Sequence, residues 1–112
     1  MQEFSFTFRL FRFIVTKKQI RKRMLLKKAN ELLAQNKLKD AEFHYKTILK
    51  TDPQNGSALF GLGRIALRLE RFDAAVYLLQ RAYERLPNML EPLHALADAF
   101  NGVNSPNDAL KV

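Results

Sequence analysis

Apolar residues recur along this chain at i, i+3, i+4 and i+7, and they do so in a register that itself repeats. The quartet Leu59, Leu62, Gly63 and Ala66 returns as Leu93, Leu96, Ala97 and Phe100, while Leu25, Ala29 and Leu32 stand one interval earlier. Spacing of this kind places side chains on one stripe of an α-helix. A second set, Ala41, Tyr45 and Ile48, then Ala75, Leu79, Ala82 and Leu86, is spaced for a helical face in the same way. The interval is 34 residues, separating Pro53 from Pro87 and linking Ala41, Ala75 and Ala109. Three ladders in one register indicate an internal repeat.

Each repeat therefore reads as a helical hairpin. Asn36-Lys37, Glu70-Arg71 and Asn104-Ser105 fall between its two helices, and the two asparagines suit the left-handed conformation that ends a helix. Thr51-Asp52-Pro53 and Arg85-Leu86-Pro87 close the second helices, because proline cannot continue a helix and biases the residue before it toward extended geometry. Alanine and glycine at the contact positions allow two helices to approach closely. A 34-residue helix-turn-helix unit of this pattern resembles the tetratricopeptide repeat. Residues 56–89 fit best, with Leu62-Gly63 at the usual Leu-Gly pair, Ala75 and Ala82 at the small positions and Pro87 closing the unit. Residues 22–55 are looser, with Lys28 at an apolar position and Leu32 at an aromatic one. Residues 90–112 form a truncated third unit with Pro106 at a bulky apolar position, although Ser105-Pro106 also reads as a helix N-cap followed by proline. The expected fold is all-α, a right-handed superhelical stack of about two and a half hairpins preceded by an N-terminal extension, residues 1–21.

The resemblance implies a function as well as a fold. Proteins of this family line a concave groove with their first helices and take an extended peptide or a partner helix there. The matching positions are Leu26, Asn30 and Leu33 in the first unit, Phe60, Arg64, Leu67 and Arg68 in the second, and His94, Asp98 and Asn101 in the third. Leu26, Leu33, Phe60 and Leu67 would form an apolar strip flanked by Arg64 and Arg68, whose guanidinium groups suit a carboxylate or backbone carbonyls. The competing reading is that these residues are simply the inner wall of a short solenoid. Some family members clamp the acidic tail of heat-shock chaperones. The corresponding positions here are Leu26, Asn30, Gly61, Glu91 and Ala95, of which only Asn30 matches, and Glu91 would repel a carboxylate.

Charge changes the picture at one end. The net charge is +8. Residues 1–28 hold nine basic side chains against Glu3 and account for all of it, while ten basic and ten acidic residues balance over the rest. The repeats therefore have no electrostatic claim on nucleic acid. The leader combines these cations with five phenylalanines in residues 4–15. Phe4, Phe6, Phe8 and Leu10 share a face at period two, whereas Phe4, Phe8, Phe11 and Val15 align on a helix. Arg9 and Arg12 interrupt the apolar run, which falls far short of the roughly 20 residues of a membrane span, and no small-residue cleavage site follows. Three readings stay open. The leader is a peripheral membrane anchor using Phe4, Phe8, Arg9, Phe11, Arg12, Lys17, Lys18 and Arg21; or it caps the first helix or pairs with another copy; or it is disordered, or lies upstream of a chain that starts at Met24.

No catalytic chemistry is legible. The chain has no cysteine, which removes disulfides, thiolate catalysis and cysteine-based metal sites. Gly61-Leu62-Gly63 lies within a helical stripe with no strand before it, so it is no phosphate loop. His44 and His94 belong to different repeats and lack metal-ligand spacing, and Ser5, Ser57 and Ser105 have no nucleophile context. The expectation is a cytoplasmic protein-binding adaptor with no catalytic residue, cofactor or metal; the alternative is a membrane-surface or nucleic-acid tether working through the leader, with the repeats as scaffold. Leu93, Leu96 and Phe100 of the truncated unit predict self-association or continuation into a longer chain.

Overall fold

The computed structural model describes residues 2–104, apart from the side chains of residues 2–6, 8, 14 and 15. Ala109 and the Ser105-Pro106 pair lie outside the described residues, as do the side chains of Phe4 and Phe8. Five helices follow one another: α1 (Gln2–Ala34), α2 (Leu38–Thr51), α3 (Gly56–Arg68), α4 (Phe72–Arg85) and α5 (Leu90–Val103). No strand occurs among the described residues. α1 packs on α2 and α3, α3 on α4, and α4 on α5, so the chain is a stack of helical hairpins. α2 and α4 begin 34 residues apart, and so do α3 and α5.

The turns inside the hairpins are built alike. Lys37 N–H donates to Leu32 O and Asn36 N–H to Leu33 O, each at 2.9 Å. One period later Arg71 N–H reaches Ala66 O at 2.8 Å and Glu70 N–H reaches Leu67 O at 3.0 Å. This paired capping of orphan carbonyls needs a left-handed residue at its centre. Asn36 has φ 61° and Glu70 φ 57°. Asn104, expected to behave like Asn36, has φ −95°. It is the hydrogen-bonding pattern, present at residues 36 and 70, that demands the conformation; the residue type only makes it cheaper.

Between hairpins a polar chain ties three helices together. Lys22 Nζ on α1 donates to Asp52 Oδ2 at 3.1 Å, and Asn55 Nδ2 donates to the same oxygen at 3.2 Å. Asn55 Oδ1 in turn accepts from Ala58 N–H at 2.9 Å and caps α3. The Lys22 hydrogen bond is the main reason the Asp52 carboxyl is held below the usual carboxylate range.

Two apolar clusters form the interior. Ala29, Leu32, Leu33, Ala41, Tyr45, Ile48, Ala58, Leu62 and Ile65 make the first, and Ala66, Ala75, Leu79, Leu96 and Ala99 the second. The glycines of α3 set how closely the helices meet. A Cβ on Gly63 would lie 2.5 Å from Leu79 Cδ2, and one on Gly61 would lie 2.2 Å from Tyr45 Cζ. Glycine at 61 therefore makes room for the Tyr45 ring, which is fully buried between α2 and α3.

The leader takes the helical one of its two expected states, amphipathic helix or disordered. Residues 2–21 run on without a break as the N-terminal part of α1, so they do not fold back over that helix as a cap. At about 1.5 Å per residue the extension adds about 30 Å, consistent with a molecule 71 Å long and 26 Å wide.

Candidate partner-binding groove

α3 and α5 stand side by side as the first helices of consecutive hairpins, and a concavity of about 500 Å³ opens between them. α3 contributes Phe60, Arg64, Leu67 and Arg68 at i, i+4, i+7 and i+8. α5 contributes Glu91, His94, Ala95 and Asp98 at i, i+3, i+4 and i+7. Helical spacing brings each set to one face. Six of the residues that the sequence singles out thus meet in one place: Phe60, Arg64, Leu67, Arg68, His94 and Asp98.

The floor is apolar and the walls are charged. Phe60, Leu67 and Ala95 pack against the second core cluster and are half-buried, so part of each faces the groove. Arg64 lies over the Phe60 ring with its guanidinium carbon 5.5 Å from the centroid, a cation–π arrangement. The α3 wall is cationic through Arg64 and Arg68, whereas the α5 wall carries Glu91 and Asp98.

The remaining predicted positions are placed differently. Leu33 is 1% exposed and belongs to the first core cluster. It offers a partner no surface, because α1 needs it to close against α2 and α3. Leu26 is half-buried against that same cluster, and with Asn30 it borders a depression formed by α1 alone. Asn30 Oδ1 accepts the Tyr45 hydroxyl proton. Burial pushes the Tyr45 phenol up, an effect opposed by Arg64 and Arg68. Arg68 is also engaged within the fold, donating from Nη1 to Leu33 O at 2.7 Å and to Asn36 Oδ1 at 3.4 Å. It caps the C-terminal end of α1 and so joins two hairpins. Asn101 is exposed on α5 and does not line the groove. Of the leader positions, Arg9, Phe11, Arg12, Lys17, Lys18 and Arg21 are exposed on α1.

Two features of the groove reach beyond the positions that the family resemblance names. Glu91 and Ala95, weighed only as clamp positions, line the groove, and their spacing from His94 and Asp98 was the available signal. The Tyr45–Gly61 contact explains why position 61 cannot carry a clamping side chain: the ring already fills that volume.

Stacked helical hairpins with a groove between their first helices define a helical repeat protein. The tetratricopeptide repeat profile matches residues 26–89, more than half of the chain, and the chain belongs to that family. A comparison with curated proteins finds no match. Repeats of this family generally mediate protein–protein interaction and typically serve as non-catalytic scaffolds or adaptors. Among the described residues no group of His, Cys, Asp or Glu is placed to hold a metal ion, and no helix is long and apolar enough to cross a membrane.

Proposed function

We propose that the chain is an adaptor that binds a segment of another protein, an extended peptide or a partner helix, in the groove between α3 and α5. The observation that carries this reading is the pairing of an apolar floor, Phe60, Leu67 and Ala95, with walls of opposite charge. A segment with an apolar side chain between an acidic and a basic residue matches that pattern when its acid faces Arg64 and its base faces Glu91 and Asp98. Arg68 serves mainly to hold the wall in place, since its guanidinium already caps α1. The adaptor needs no catalytic group, cofactor or metal, and the tether suggested by the leader concerns a different surface of the molecule.

Selection of displayed random peptides on the wild-type chain tests this proposal. Peptides enriched on the wild type lose binding to Phe60→Ala/Arg64→Ala by about two orders of magnitude, as expected for removing an aromatic anchor and its paired cation. They keep binding to Phe43→Ser, which alters a side chain 68% exposed on α2. Equal binding to both variants, each shown to be folded by circular dichroism, would place the site elsewhere.

A further inference from the structure

Away from the groove, a run of exposed apolar side chains lies on the N-terminal part of α1. Leu10, Phe13, Ile20 and Met24 are 51%, 64%, 53% and 67% exposed. Their intervals, completed by Lys17, alternate three and four residues and put them on one stripe. Ile20 precedes Ala29 by nine residues and Met24 precedes Leu33 by nine, which is two and a half helical turns in each case. Ile20 and Met24 therefore face away from the side of α1 that is buried in the repeat core, and Leu10 lies at the flank of the stripe nearest to it. On the helical wheel Arg9 borders the stripe on one side and Arg21 on the other, and both are exposed, as is Lys17 within it.

The charge of the segment selects among occupants. Two copies of this helix laid together would set cation against cation along their length, with Glu3 the sole acid among residues 1–28. Nucleic acid supplies phosphates but no apolar medium for four aliphatic and aromatic side chains. A bilayer surface containing anionic lipid supplies both: acyl chains for the stripe, and phosphates for cations whose long stems reach past it.

We propose that the N-terminal part of α1 lies along the surface of an anionic membrane, with Leu10, Phe13, Ile20 and Met24 inserted at the headgroup–acyl boundary and Arg9, Lys17 and Arg21 at the level of the phosphates. The helix lies on the bilayer and does not span it. The repeat core sits on the side of α1 opposite Ile20 and Met24 and stays clear of the surface. This stripe differs from the leader contacts suggested by sequence: Phe11 stands on another face of the helix, and Leu10, Phe13, Ile20 and Met24 take its place.

The test is co-sedimentation of the full chain with phosphatidylcholine vesicles, with and without phosphatidylserine. The expected result is preferential binding to the phosphatidylserine vesicles, weakened as ionic strength rises from about 0.1 M to about 1 M. Phe13→Ser/Ile20→Ser lowers the partition coefficient at least about tenfold, and Arg9→Gln/Lys17→Gln also lowers it. Both pairs are solvent-exposed, and unchanged circular dichroism confirms that the repeats remain folded. Three results would overturn the proposal: no binding to phosphatidylserine vesicles, binding indifferent to Phe13→Ser/Ile20→Ser, or equally tight binding to duplex DNA or polyglutamate that ignores the same substitutions.

Discussion

Residues 22–34 of α1 bury Ala29, Leu32 and Leu33 against α2 and α3, whereas residues 7–20 of the same helix are exposed wherever their side chains are described. One continuous backbone thus runs through two physical regimes. The C-terminal part is helical because an apolar stripe is covered and its last carbonyls are capped by the turn at Asn36 and by Arg68. The N-terminal part is rich in aromatic and β-branched residues, which are only moderate helix formers, and its described side chains are exposed. Its helix is propagated from a packed segment that has already met the cost of nucleation. Charge does not divide along the same line: residues 1–21 hold five basic side chains against Glu3, and Lys22, Arg23, Lys27 and Lys28 carry the cationic run on into the packed segment.

The sharpest way to break this comparison is to make the same kind of change in both regions. Tyr45→Ala removes a fully buried ring and its hydroxyl bond to Asn30, and should lower the unfolding free energy in urea by about 3–5 kcal/mol. Phe13→Ala truncates a ring 64% exposed and should leave it within about 0.5 kcal/mol. Comparable losses would mean that the leader is packed against the repeats after all.

Gly61→Ala comes next. Its Cβ would meet the Tyr45 ring at 2.2 Å, and the overpacking should cost about 1–3 kcal/mol despite the better helix propensity of alanine. A stabilised Gly61→Ala variant would show that the α2–α3 interface is looser than described. A smaller effect of opposite sign is expected at the turn. Glu70 holds φ 57° without glycine's freedom, so Glu70→Gly should raise stability by about 0.5–1 kcal/mol. Asn36→Gly should change it less, because asparagine tolerates that conformation better.

The boundary between the two regions is marked by the Lys22–Asp52 pair, and its signature is pH dependence. The Asp52 carboxyl is depressed in the folded chain, so its contribution is present above the unfolded-state value near 4 and is lost as pH falls through the lower folded value. Stability of Asp52→Asn, followed by urea midpoints, should fall less steeply than wild type on the acid side. Parallel acid limbs would show that the pair contributes nothing to folding.

The hairpins and their 34-residue period were readable because helical spacing and small contact residues are local, repeated signals. The family resemblance, laid on that period, named Phe60, Arg64, Leu67, Arg68, His94 and Asp98, which line one concavity. Other features depended on what packs nearby. Leu33 occupies a position that the family resemblance assigns to the groove, yet it completes the Ala29, Leu32, Leu33 stripe that closes the first core. Glu70 takes the left-handed conformation because two backbone bonds require it, which its side chain does not announce. The leader was ambiguous because its phenylalanines alternate over residues 4–8 and fit a strand or a helix alike. Continuity with a packed helix resolves that ambiguity, and no pattern within the leader encodes it.

Amide hydrogen exchange resolved along α1 tests the central contrast most directly. Strong protection over residues 25–34, with exchange over residues 7–20 faster by at least about two orders of magnitude, is the predicted result. Uniform protection along the whole helix would contradict it, for the N-terminal part would then be held by contacts that a free-standing extension of a repeat stack does not have.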